Sequence, residues 1–386
     1  MMFALASLLI LLLAYTYLGY PILIGLLAQT RGEDVVPGAA APGEPERGSA
    51  GSAELPFVTV CLPVYNGADY LPAKLESLLA QDYPSERVEI LIYLDGCSDD
   101  SEAVARTIAA SPAAGGRVRV VPETRRLGKP TGLNALAPLA RGELLLLNDV
   151  RQPLSRNAIR ALATALADPR IGCATGNLVL AGGAGSGVYW RYENWLRRQE
   201  SRFRGVVGMT GPIAMIRRDD LEPLPADLIL DDVWIPMRLV LAGKRTRFVS
   251  EAEAYDAAFE NEREFKRKVR TLAGNYQIFA RLPALLSPAK NPLWFETASH
   301  KLCRLAAPWW MLALFALAVV GSGAAEPSLA TVMRVLLVAQ VAFYLAAAAG
   351  KRAGKLGGLA RTFVVLNSAA VLGLWRHLTG RQRVTW

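Results

Sequence analysis

VEILIYLD at residues 88–95 and ELLLLND at residues 143–149 decide the fold. Nearly every position in both is apolar, and both end on an aspartate. A half-exposed strand alternates apolar and polar residues, whereas a continuous apolar run of this length belongs to a strand buried on both faces. The surrounding sequence agrees. FVTVCLPV (57–64) is a third such run, helical patterns follow at 71–80 and 101–110, VRVV lies at 118–121, and another helical pattern covers 156–167. This alternation predicts an α/β domain with a mostly parallel sheet under helices. Ligands sit beyond the carboxyl ends of the strands in such sheets, so Asp95 and Asp149 should face one crevice. Each also has a structural use, Asp95 opening the turn before Gly96 and Asp149 capping the turn before the helix at Arg156.

Composition limits the chemistry. Of 386 residues, 52% are hydrophobic and 20% charged, too apolar for an ordinary water-soluble domain, so a membrane component is expected. The net charge of +9 fits a nucleic acid, an anionic membrane face or a phosphorylated substrate without choosing among them. His300 and His377 both lie outside the polar middle, which excludes a histidine base, triad or zinc site there; acid–base work falls to carboxylates. Cys61, Cys97, Cys173 and Cys303 form no CxxC pair and read as small buried hydrophobes on a reducing side.

The ends belong to a bilayer. Residues 1–30 carry no charge and exceed the roughly 20 apolar residues that cross a membrane; the missing basic n-region and the length of the run favour an anchor over a cleaved signal. Residues 31–55, rich in Pro, Gly, Ala and Glu, read as a flexible linker. Residues 56–282 form the polar domain and 283–304 an interfacial segment. Residues 305–378 hold two clear transmembrane helices and a third, 356–375, interrupted by Arg361, Asn367 and Ser368; 379–386 is a tail. The loop 322–328 holds only Glu326, whereas Lys351, Arg352, Lys355 and Arg361 follow the second helix, which puts that cluster, and the polar domain with it, in the cytoplasm. The third helix is read as crossing rather than lying flat, although crossing would leave Arg376, Arg381 and Arg383 outside, against the same rule.

Nucleotide motifs fail where they can be tested. LGKPT lacks the upstream Gly and following Ser/Thr of a P-loop, and GGAGSG at 182–187 lacks the dinucleotide spacing and reads as a loop. Lys129 remains a point charge for a phosphate, or else a solvated surface lysine. LPADLILDDVWIPMRLVLAG places Asp231 and Asp232 at the head of an amphipathic helix, Asp231 as N-cap and Asp232 in the first turn. In the basic helix EREFKRKVRTLAGNYQIFARL, Lys266, Arg267 and Lys268 read as a solvated or membrane-facing side, and Arg270 as a clamp for a diphosphate.

PFVTVCLPVYN, EILIYLDGCSDDS, GKPTGLNALAPLARGELLLLND, TGPIAMIRR, LDDVWIPMRLVLAGKRTRF, KRKVRTLAGNYQ and SHKLCRL occur in this order, and in it the chain resembles the membrane-bound family 2 glycosyltransferases, which include cellulose and hyaluronan synthase-like enzymes. The resemblance implies a GT-A domain that binds a nucleotide-sugar. It places Pro63, Tyr65 and Asp95 on the base and ribose, Asp149 and Arg270 on the donor, and Asp149 on a Mg²⁺ or Mn²⁺ ion; Lys129, as a point charge for a phosphate, joins the donor side. Asp232 would be the general base, with Gly211 and Asp231 supporting on the acceptor side. A carboxylate-rich site without histidine suits either of those hard cations.

Three departures stand out from the family pattern. Arg151 replaces the second metal aspartate of D-x-D, Asp231 replaces the glutamate of E-D, and Arg267 and Thr271 replace the Gln and Trp of Q-x-x-R-W, which puts processive synthesis in doubt. The expected activity is transfer, by inversion, from a nucleotide-diphosphate-sugar to a glycan or lipid-linked acceptor at the inner membrane. Its rivals are a non-processive enzyme acting on a polyprenyl-phosphate or lipid-linked oligosaccharide and a catalytically silent nucleotide-sugar scaffold. Beyond donor, acceptor and lipid bilayer no partner is implied; nucleic acid is disfavoured because no aromatic-interleaved basic motif occurs.

Overall fold

A computed structural model describes residues 1–32, 54–181, 186–257 and 261–382. The chain opens with α1 (Met2–Ala14) and α2 (Tyr20–Arg31), joined by a π-helical turn at Tyr15–Gly19. It continues through β1 (Val58–Val64), α3 (Leu71–Leu79), β2 (Val88–Asp95), α4 (Ser101–Ala109), β3 (Val118–Glu123), α5 (Lys129–Leu136) and β4 (Leu144–Asn148). Then come α6 (Ala158–Leu166), β5 (Ile171–Ala181), α7 (Ser186–Phe203), β6 (Ile213–Arg217), α8 (Asp231–Leu241) and β7 (Arg245–Ala257). The remainder is helical: α9 (Asn261–Arg281), α10 (Trp294–Glu296), α11 (Cys303–Gly321), α12 (Pro327–Ala349) and α13 (Gly354–Leu378). Most of the linker and most of the 182–187 loop named from the sequence lie outside the described residues.

These elements form two compact units. In the first, Leu27–Ala258 with Ser287–Leu293, seven strands pair in the order β3-β2-β1-β4-β6-β5-β7. The pairs β1–β2, β2–β3, β1–β4 and β5–β7 are parallel, and β6 runs antiparallel between β4 and β5. Every residue of β1, β2 and β4 is buried, as the apolar runs require. Leu71, Leu75 and Leu78 of α3 and Ile159, Leu162 and Leu166 of α6 join the same core, each trio lying on one helical face. At the second position of β2 stands a charge, Glu89. Its carboxylate accepts from Thr59 Oγ1 (2.7 Å), Arg141 N (2.7 Å) and Arg141 Nε (2.8 Å), and Thr59 Oγ1 in turn accepts from Gly142 N.

The second unit, Met1–Leu26, Phe259–Leu286 and Trp294–Gln382, is helical. Three of the described helical stretches, Met2–Arg31, Trp294–Gly321 and Pro327–Leu378, are long and apolar enough to cross a membrane. Ala6, Leu9, Leu314 and Met333 form a core between the first, second and third of these. The stretches α1–α2 and α10–α11 each contain one π-helical turn, and Tyr15 of one turn shares a 2.7 Å hydrogen bond with Ser299 of the other, in Thr297–Leu302. Gly350 (φ +58°) and Gly354 (φ +73°) break the helix between α12 and α13, a conformation that favours glycine.

One local expectation is corrected. Asp231 is the first residue inside α8 rather than its N-cap; Leu230, with non-helical φ −124° and ψ 85°, holds that place without a side-chain cap. The Asp231 carboxylate is drawn instead to a buried cation.

Candidate active site

The site is built at the carboxyl ends of β1, β2 and β4. Asp95 closes β2 and is 1% exposed; its Oδ1 accepts from Leu127 N (2.6 Å) and Gly128 N (3.0 Å), with Oδ2 2.9 Å from Gly128 N. The carboxylate therefore shapes the turn before α5, where Gly128 takes φ +92°. That turn delivers Lys129, the first residue of α5. Lys129 is buried, which removes the reading of a solvated surface lysine, and its Nζ lies 2.8 Å from Asp149 Oδ1 and 3.0 Å from Asp231 Oδ2. Burial opposes its charge, but Asp149 and Asp231 outweigh that cost and hold the ammonium above the ordinary lysine range.

Asp149 follows β4 directly and Asp232 is the second residue of α8, in a first turn where the helix dipole favours negative charge. Both face one point: a Cβ placed on Gly211 would lie 3.7 Å from Asp232 Oδ2 and 3.8 Å from Asp149 Oδ2. Pro63, in β1, is buried; Tyr65, just past the strand, carries the Arg126 guanidinium 3.6 Å above its ring. The sheet unit thus brings together Asp95, Lys129, Asp149, Gly211, Asp231 and Asp232. Arg270 stands on α9 in the helical unit.

Arg151, at the position of the second D-x-D acid, pairs with Asp256 of β7, and Gln152 Nε2 donates to the same carboxylate at 2.7 Å. The segment after Asp149 is held from the other side by α3. The fully buried Lys74 donates from Nζ to the Gln152 carbonyl (2.7 Å), and Ser77 Oγ accepts from Leu154 N. Burial pushes the Lys74 ammonium down to about 7, with Asp149 opposing the shift. Arg197 of α7 donates to Thr210 Oγ1 beside Gly211; burial lowers its pKa against the charges of Glu200, Glu193 and Asp232.

Lys74, Arg126, Arg197 and Asp256 escaped the sequence reading. Only Lys74 left a signal, because it shares the apolar face of Leu71, Leu75 and Leu78 at helical spacing.

Residues 59–224 match the model of glycosyl transferase family 2. Over 218 residues the chain is 28% identical to an N-acetylglucosaminyltransferase of Rhizobium meliloti (strain 1021), covering 51% of this chain and 50% of that one. It is 24% identical over 231 residues to glycosyltransferase AglE of Haloferax volcanii, covering 58% and 75%. The chain spans about half the length of the N-acetylglucosaminyltransferases that it matches. A mannosyltransferase of Pyrobaculum calidifontis, solved in complex with GDP-Man and Mn²⁺, superposes with a TM-score of 0.75 over 98% of this chain and 99% of that one, at 22% identity. The sheet unit, whose residues 59–224 match glycosyl transferase family 2, therefore has the GT-A fold.

Proposed function

We propose that the protein is a membrane-anchored transferase that moves a sugar from a nucleotide-diphosphate-sugar to a hydroxyl of a glycan or lipid-linked acceptor, with inversion. The convergence of Asp149 and Asp232 on one point beside Gly211, with Lys129 tying Asp149 to Asp231, is the observation that carries the reading. Asp232 takes the proton of the acceptor hydroxyl; that oxygen attacks the anomeric carbon as the bond to the diphosphate oxygen breaks, and the nucleoside diphosphate departs. Lys129 lies where its charge favours the negative charge gathering on that leaving group.

Among the described residues no group of three or more His, Cys, Asp or Glu side chains is arranged to hold a metal ion by itself. An Mg²⁺ or Mn²⁺ ion needs no such cage, because these ions bind through one or two carboxylates together with substrate phosphates and water. Asp149, whose Oδ2 faces the Gly211 position, fits that requirement. When bound, the cation would neutralise the leaving diphosphate. Pro63, Tyr65 and Asp95 are assigned to the nucleoside, and Arg270 to the diphosphate, on the resemblance to the family; Gly211 and Asp231 support the acceptor side. We assign the sheet unit to the cytoplasm, a reading that the distribution of Lys and Arg around the apolar helices supports. The departures at Arg267 and Thr271 favour limited addition over a long polymer.

The test is nucleotide release by the full chain in lipid nanodiscs with Mg²⁺ or Mn²⁺ and membrane lipid extract. The relatives' names put nucleotide-diphosphate donors of N-acetylglucosamine first in the panel, followed by GDP-mannose, the donor bound in the similar mannosyltransferase. Release with one donor, reduced at least 100-fold in Asp232→Asn and in Asp149→Asn, is expected. The Arg151–Asp256 pair favours one rival, a silent nucleotide-sugar scaffold. Donor binding without release, unchanged in Asp232→Asn, would establish that rival instead.

A further inference from the structure

The contacts of α13 place both its ends at one level of the helical unit. At its start, a Cβ on Gly357 would clash with the Gly350 carbonyl oxygen and lie 3.1 Å from that of Ala346, and a Cβ on Gly350 would lie 3.0 Å from Arg361 Cδ. The first turns of α13 are thus pressed against the end of α12. At its other end, a Cβ on Gly373 would lie 2.9 Å from Ala273 N, and the His377 ring stacks on Tyr276 with centroids 6.5 Å apart. The Tyr276 hydroxyl donates to the carbonyl of Leu305, in the first turn of α11.

The levels of Gly350 and Leu305 follow from the helices that carry them. Gly321, ending α11, faces Met333 near the start of α12, its Cβ position 2.6 Å from Met333 Cγ. From that shared level, Leu305 lies roughly 24 Å back along α11 and Gly350 roughly 26 Å along α12, at 1.5 Å per residue. They therefore stand side by side. A crossing α13 would rise about 37 Å over its length and end near the α11–α12 loop, not beside Leu305. The middle of α13 agrees: Phe363 meets Tyr17 (4.8 Å) and Phe343 (5.9 Å), and Val364 and Val371 line a cavity of about 310 Å³ with Pro308 and Phe315.

Charge points the same way. Lys301, Arg304, Lys351, Arg352, Lys355, Arg361, Arg376 and Arg381 all fall at this level, whereas the opposite ends of α11 and α12 bring Glu326 and Arg334. The exposed side of α13 mixes Leu356, Leu359, Val365 and Trp375 with Lys355 and Arg361, a surface suited to the boundary between headgroups and acyl chains.

We propose that α13 does not cross the bilayer but lies along its basic-side interface, so that the chain spans the membrane three times and the residues after α13 stay on the side of Lys351. The sequence alone favoured a crossing helix because 356–375 is long and apolar enough. Lying flat leaves Arg376 and Arg381 on the basic side and removes the conflict with the charge rule.

Single cysteines at Gly380, Lys351 and Ala325 of the full chain, labelled in intact and permeabilised cells with a membrane-impermeant maleimide against the parent chain as background, test this. Ala325→Cys should label in intact cells, and Gly380→Cys should label only on permeabilisation, together with Lys351→Cys. Labelling of Gly380→Cys in intact cells alongside Ala325→Cys would overturn the proposal. The readout is independent of any transferase activity.

Discussion

The amide of Met209 donates to the main-chain carbonyl of Asp232 at 2.7 Å, a bond that Pro236 makes available. In an α-helix that carbonyl would accept from the amide of residue 236, and proline has none. The turn leading to Gly211 is therefore suspended from the helix that carries Asp232. Pro236→Ala adds a competing donor and relieves a helix-interior proline, a change that favours the helix by up to about 3 kcal/mol. We expect a protein no less heat-stable than the parent whose donor turnover falls several-fold; unchanged turnover would show that this shared carbonyl does not set the site.

Lys74 makes a second prediction, on pH. Its folded pKa of about 7 lies below that of an unfolded lysine, so between those values the unfolded chain binds more protons and stability rises with pH. The cost of the buried charge is present in full below pH 7. Relative to the parent, Lys74→Met should be most favourable to stability at pH 6 and lose that advantage by pH 10, read from denaturant midpoints. Amide exchange across 149–157 should quicken in Lys74→Met, because the Gln152 carbonyl loses its partner. A stability difference that does not vary with pH would refute the assignment of this charge.

Gly96 follows Asp95 at φ +62°, and a Cβ there would sit 2.6 Å from Arg126 N and 2.7 Å from Arg125 C. Both neighbours are backbone atoms and cannot rotate aside. Gly96→Ala should destabilise the sheet unit by roughly 1–3 kcal/mol through backbone strain alone, with the clash added to that. A thermal midpoint within a degree of the parent's would contradict this.

The fourth prediction concerns acid. Burial disfavours the Glu89 charge, but the Arg141 amide and guanidinium and the Thr59 hydroxyl outweigh it and hold the carboxyl below the usual glutamate range. With a depressed folded pKa, its contribution is complete above the unfolded value and is lost as the pH falls through the folded one. Glu89→Gln should cost about 1–3 kcal/mol at pH 7 and progressively less below pH 4. Denaturation curves of both proteins across that range check the convergence.

Much of this was legible in the sequence, for identifiable reasons. The runs 88–95 and 143–149 announced their strands because burial on both faces leaves no polar alternation to misread. Asp95 and Asp149 announced themselves by standing where such runs stop. Asp231 was harder: its position at the head of α8 was plain, but its pairing with Lys129 joins distant segments, and only the packed sheet shows that the carboxylate turns to a cation instead of capping its own helix. Asp256 and Arg197 sit on elements without any local motif. β6 carries no alternation either, so its direction in the sheet was invisible until its neighbours were in place.

That direction sets the tolerance of the site. Because β6 runs opposite to β4, with Asn148 paired to Ile213, the chain enters β6 beside the point where it leaves β4. Asp149 and Gly211 are thus brought together by backbone ladder spacing, before any side chain chooses a rotamer. A slip of one residue in this pair would move them apart by about 3.4 Å and turn every β6 side chain to the other face. An insertion or deletion within 213–217 should therefore silence the site even if the sheet reforms around it, whereas the same change in the exposed 322–326 turn would leave this spacing untouched.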